Sequence, residues 1–151
     1  MFKTFGLASF FFAAMAGVAP AQEGASSPQA APKATLATGT VKIHIALKAS
    51  TSLPNGTTLS INCGASLFDP TLDTASSSYV YPSAQVTAGK ANVTVSIPYK
   101  WIVSDSKNTV YVAVAVSASG SGGVYDTSSF TASFALPANG TETTVRFSGT
   151  I

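Results

Sequence analysis

A single histidine, His44, and a single cysteine, Cys63, bound the chemistry available to this chain. A structural zinc site takes four nitrogen or sulfur ligands, so one of each is too few. A histidine-activated nucleophile would have to use His44. That residue alternates in phase with Lys42 and Lys48 and out of phase with Val41, Ile43 and Ile45. Period-two alternation places it on the solvated face of a strand. Cys63 runs in phase with Leu59 and Ile61, which reads as a small buried hydrophobe. Gly64 beside it leaves a strand end, and an exposed thiol, as the alternative. No cationic neighbour is evident to lower its pKa.

The six acids are Glu23, Asp69, Asp73, Asp105, Asp126 and Glu142. Carboxylate-pair catalysis needs two of them held at a fixed separation. Asp69 and Asp73 share one segment and offer a calcium ion two carboxylates beside backbone carbonyls. The plainer reading of Asp69-Pro70 is turn chemistry. No serine stands in a Gly-x-Ser-x-Gly context. Gly120-Ser121-Gly122-Gly123 joins two strand patterns and lacks the helix and the Lys-Ser/Thr ending of a phosphate loop. Asn55, Asn92 and Asn139 open formal glycosylation sequons, and two of these are Asn-Gly turns. Five aromatic residues, Tyr79, Tyr81, Tyr99, Trp101 and Tyr125, form the one candidate ligand platform. They also suit the core or edge of a sandwich, so the platform requires them contiguous on the surface. No cofactor or metal is implied.

Residues 1–21 read as a secretory signal peptide. Lys3 precedes an apolar run from Phe5 to Val18, and Ala19-Pro20-Ala21 is a small-x-small cleavage site. A retained anchor is the alternative, since about 17–25 apolar residues span a bilayer. The Gly and Pro near its end and the cleavage site favour removal. No later stretch is apolar enough to span. Residues 22–38 are rich in Ala, Ser, Pro and Gln, with Leu36 the only large apolar side chain, and read as a disordered leader. They lack the alternating anchors that a donated strand requires.

The formal charge is +2, and 9% of residues are charged. Removal of Lys3 with the signal peptide makes the remainder less basic. The charges look scattered along the chain, which gives no basic patch for nucleic acid or an anionic membrane. With one cysteine there is no internal disulfide. These features point to a bacterial periplasmic or extracellular address.

The elements that would position any site lie in 39–151. Thr40–Lys48 alternates cleanly. Leu53-Pro54-Asn55-Gly56 is a turn signal before a strand over Thr57–Ala65. Ser66–Ser78 reads as a long loop, and Tyr79–Thr87 as a weaker strand interrupted at Pro82, which suggests an edge position or a bend. The centre of the chain, Ala91–Ala118, reads as a β-hairpin around Ser104–Asn108 that carries Trp101. Val110, Val112, Val114 and Val116 give the most regular alternation. Ala113 and Ala115 are on the other face, where a second layer can approach closely. Ser119–Gly123 is a Gly/Ser loop. Strands over Val124–Leu136 and Thr143–Ile151 follow, separated by Pro137-Ala138-Asn139-Gly140. About seven strands with no helical period predict an all-β, antiparallel two-sheet sandwich.

That architecture resembles immunoglobulin-like or transthyretin-like modules of bacterial exported proteins. Leu53-Pro-Asn-Gly-Thr-Thr-Leu and Ile97-Pro-Tyr are similar to phrases in small periplasmic pilotin-like sandwiches. The functional expectation is a non-catalytic exported sandwich that binds or scaffolds an envelope or extracellular protein through a sheet edge or its loops, Ser66–Ser78 and Ser119–Gly123. The alternative is a small carbohydrate-binding module or hydrolase using the aromatic platform and loop carboxylates.

Overall fold

Alternating apolar residues decide where the strands lie, and the computed structural model describes them over residues 30–151, apart from 106, 121 and 122. Side chains of 120–125 are outside that description, as are the expected signal peptide 1–21 and residues 22–29 of the leader. The strands are β1 (Thr35–Lys48), β2 (Thr58–Asp69), β3 (Thr74–Val80), β4 (Ser83–Gln85), β5 (Lys90–Val103), β6 (Thr109–Gly120), β7 (Gly123–Ala135) and β8 (Thr141–Thr150). The described residues are all-β, and no helix among them is long and apolar enough to cross a membrane.

Two sheets form. Sheet A has the order β5-β1-β8, and sheet B the order β3-β2-β6-β7, with β4 also pairing β2. Every pairing is antiparallel except β1 with β8, which is parallel. The inward faces meet in one hydrophobic cluster. Val41, Ile43 and Ile45 come from sheet A, and Leu59, Ile61 and Val112 from sheet B, all almost wholly buried. Each such side chain contributes about 1.5–3 kcal/mol before conformational entropy is subtracted.

Four expectations are corrected. Ala91–Ala118 is not a hairpin: β5 pairs with β1 in sheet A, whereas β6 pairs with β2 and β7 in sheet B. The segment from Ser104 to Asn108 therefore crosses between sheets. Two alternating runs around a short polar break give the same local signal whether the second strand pairs with the first or arches over it. Ser66–Ser78 is not a long loop. It closes as a β2–β3 hairpin in register from Asp69↔Thr74 to Cys63↔Val80, with Asp73 at φ 49° in its turn. The serine-rich composition favours a loop, but cross-strand pairing overrides that preference. β1 begins at Thr35, inside the expected leader, because Ala37 is buried opposite Trp101. Finally, among the described residues no second layer covers Ala113 and Ala115; both are exposed. Sheet A packs on the valine side of β6, where far more apolar area can be removed from water.

The edge reading of Pro82 agrees with the structure. β3 and β4 are separate pieces on one side of β2, broken at Pro82, whose missing N–H would interrupt a ladder. A close approach occurs at Gly39. A Cβ there would lie 2.6 Å from Tyr99 Cζ and 2.8 Å from the Thr141 carbonyl oxygen. The Tyr99 ring occupies the space that a side chain on β1 would need. Trp101 stacks on Tyr99 with centroids 4.4 Å apart.

Candidate functional site: the outer face of sheet B

Strand parity leaves one face of sheet B open to solvent. Cross-strand register places Tyr79, Gly64, Ala113 and Thr131 in one row, and Asn62, Ala115 and Ser129 in the next. Ser60, Ser117 and Thr127 follow. No residue of these rows is charged. Tyr79 lies across Gly64, where a Cβ would stand 2.6 Å from its ring, so the glycine lets the ring fold onto β2.

Small side chains between larger ones make this face concave. One depression of about 460 Å³ is bordered by Asn62, Tyr81, Ala115, Ser117 and Ser129. A second, about 190 Å³, shares Asn62, Ala115 and Ser129 and runs to Tyr79. Together they form a shallow trough lined by hydroxyl, amide and methyl groups. Tyr81 is 73% exposed at its rim.

The five aromatic residues of the expected platform are divided. Tyr79 is exposed on β3 of sheet B and Tyr81 in the break between β3 and β4, whereas Tyr99 and Trp101 are buried inside sheet A. The side chain of Tyr125 is outside the description. Burial pushes the Tyr99 phenol pKa up. The one exposed tyrosine the sequence reading missed is Tyr111, in β6. It is out of phase with the buried valines of its strand, which was the available signal.

The loop carboxylates do not converge either. Asp69 is fully buried and accepts hydrogen bonds from both sides of a sheet crossing. The backbone N–H groups of Thr71 and Leu72 donate to Oδ1 at 2.9 and 3.1 Å. Ser104 donates its N–H to Oδ2 at 2.6 Å and its hydroxyl to Oδ1 at 2.8 Å, and Asn108 Nδ2 donates to Oδ2 at 2.7 Å. Burial opposes ionisation, but these donors from Ser104, Leu72 and Asn108 outweigh it and hold the carboxyl well below the usual range. Asp73 is exposed in the adjoining turn. Among the described residues no three His, Cys, Asp or Glu side chains gather as metal ligands. Asp69 is thus a structural anion, tying the β2–β3 turn to the β5–β6 crossing.

Cys63 is fully buried, and burial raises its thiol pKa to about 11. We expect no reaction with a thiol-specific disulfide reagent at neutral pH in the folded protein and full reaction in denaturant. Rapid labelling of the native protein would contradict that burial. His44 is half-buried, with Nδ1 2.9 Å from Thr94 Oγ1. No acid contacts its ring among the described hydrogen bonds. It lies on sheet A, on the face opposite the core, as its phase with the lysines requires.

Comparison with protein-family models, curated proteins and solved structures finds no match to this chain.

Proposed function

We propose that this chain is a non-catalytic, exported binding module, placed in the periplasm or outside a bacterial cell, that holds an envelope or extracellular partner on the outer face of sheet B. The observation that carries this reading is the trough running past Asn62, Ala115 and Ser129, which lies among exposed tyrosines and has no charged residue in its rows. A solvent-facing sheet surface without charge is cheap to desolvate, and tyrosines supply rigid contact area at low entropic cost. This surface replaces the loops as the favoured interface, because Ser66–Ser78 is mostly strand.

The test is site-specific photocrosslinking in the native cell. A crosslinker at Asn62 or Ser129 should give one discrete adduct that the same group at Thr51, exposed in the turn after β1, does not. Equal adducts from Thr51, or none from Asn62 and Ser129, would sink the reading. Tyr81 beside Asn62 also suits a neutral sugar, with a ring to stack on and an amide to orient hydroxyl groups. Retardation in gels containing neutral polysaccharide, abolished by Tyr81→Ala, would identify the partner as carbohydrate.

A further inference from the structure

The charges that look scattered in sequence are gathered by strand pairing onto the other outer face. In sheet A, Lys48 stands directly opposite Lys90, and His44 lies beside Arg146. Lys42 is two residues along β1 from His44, and Lys100 pairs with Thr38. All of these side chains point away from the core, because their neighbours at alternate positions are the buried ones. Glu142 is the acid on this face, and it makes an ion pair with Lys42 at 3.0 Å. From Thr38 to Lys48 the strip is roughly 33 Å long at about 3.3 Å per residue. The expected absence of a basic patch is therefore corrected: parity was legible, but the pairing that joins β5, β1 and β8 was not.

We propose that the outer face of sheet A binds an acidic polysaccharide chain laid along its strands. This goes beyond the reading of sheet B and stands on a separate surface. Like charges directly opposite each other in a sheet are destabilising, so the Lys48–Lys90 pair is a cost that a bound anion removes. The residues between the cations, such as Ser96, Thr94, Asn92, Thr144 and Ser148, carry hydroxyl and amide groups suited to sugar hydroxyls. A protein partner is less well served, since the strip lacks the large apolar or aromatic anchors that dominate protein interfaces. Single-stranded nucleic acid needs aromatic stacking platforms, and none of the exposed Phe68, Tyr79, Tyr81 and Tyr111 lies in a strand of sheet A. A bilayer needs an apolar face among the cations. The exposed aliphatic pair Leu36 and Ile102 lies beyond Lys100, at one end of the strip.

The test uses the full chain on immobilised heparin, a linear sulfated polysaccharide, at about 50 mM salt, where counter-ion release favours binding. Retention is expected. The exposed-site double variant Lys48→Glu/Lys90→Glu should bind about tenfold more weakly or be lost from the column. Its charge-matched counterpart, Lys33→Glu/Lys107→Glu, changes residues outside the strip and should stay retained. Circular dichroism establishes that both are folded, and Lys48→Gln/Lys90→Gln serves should charge reversal unfold the chain. Equal loss in both double variants would reduce the effect to net charge and overturn the proposal. So would passage of the parent chain through the column. Tighter binding to a single-stranded oligonucleotide or to phosphatidylglycerol vesicles than to heparin would overturn it in favour of those partners.

Discussion

Asp69→Asn is expected to loosen the crossing between the two sheets and to lower the thermal midpoint by on the order of 10 °C. The amide keeps an acceptor for the Thr71 and Leu72 N–H groups, but its NH₂ would face two donors, Ser104 N–H and Asn108 Nδ2. A buried donor set against donors loses both its hydrogen bonds and its solvation. Lys107 lies inside the crossing, so trypsin should cut the variant after Lys107 under conditions that leave the parent intact. The same carboxylate sets an acid limit. Its folded pKa lies below the unfolded value of about 3.9, so its contribution is present above about pH 4 and is lost as pH falls below that. The acid limb of a stability–pH curve should flatten in Asp69→Asn. An unchanged midpoint, unchanged limb and unchanged cleavage would refute the structural role.

Trp101→Ala should be the most damaging core substitution, costing about 3–5 kcal/mol, a large share of the roughly 5–15 kcal/mol available to a small domain. Trp101 is 4% exposed, stacks on Tyr99 and covers Ala37 near the start of β1. Its removal leaves a cavity bounded by a ring already fixed over Gly39, which limits collapse. Tyr99→Phe is the control. The Tyr99 hydroxyl has no hydrogen-bond partner among the described residues, so no protein bond is lost, and the change should stay within about 1 kcal/mol. Chemical denaturation measures both. The parent's tryptophan emission should also be blue-shifted and poorly quenched by iodide. Strong quenching would return Trp101 to the surface and revive the five-residue platform.

The strands themselves were legible because side-chain phase is a local property. Val110–Val116 and Thr40–Lys48 alternate without interruption, and their buried positions agree with that phase. Sheet membership is not local. Nothing between Ile97 and Val110 says that β5 will pair with β1 and β6 with β2, so the hairpin reading was wrong while both strands were right. The same gap hid the basic strip: Lys48, Lys90, Lys100 and Arg146 each face outward by phase, but only the β5-β1-β8 order makes them neighbours. Asp69 did leave a signal. It continues the inward phase of Leu59, Ile61, Cys63, Ala65 and Leu67, and a carboxylate in an inward phase demands donors. The turn chemistry of Asp69-Pro70 masked it. On the aromatic platform, Tyr99 continued the inward phase of Val95 and Ile97, which already argued for burial.

The pairing of β1 also separates local from distant contacts. Sheet B contains hairpins between successive strands, β2 with β3 and β6 with β7, that close over short stretches of chain. Sheet A contains none. β1 waits for β5, and its other edge waits for β8, so that Lys42 meets Glu142 across 100 residues of sequence. The entropy of closing such a loop is spent before the contact returns anything, which is why proteins rich in distant pairings fold slowly. Until β8 is in place, β1 keeps an unpaired edge, with backbone donors and acceptors open to any other extended chain. Pairing with β8 is what closes that edge.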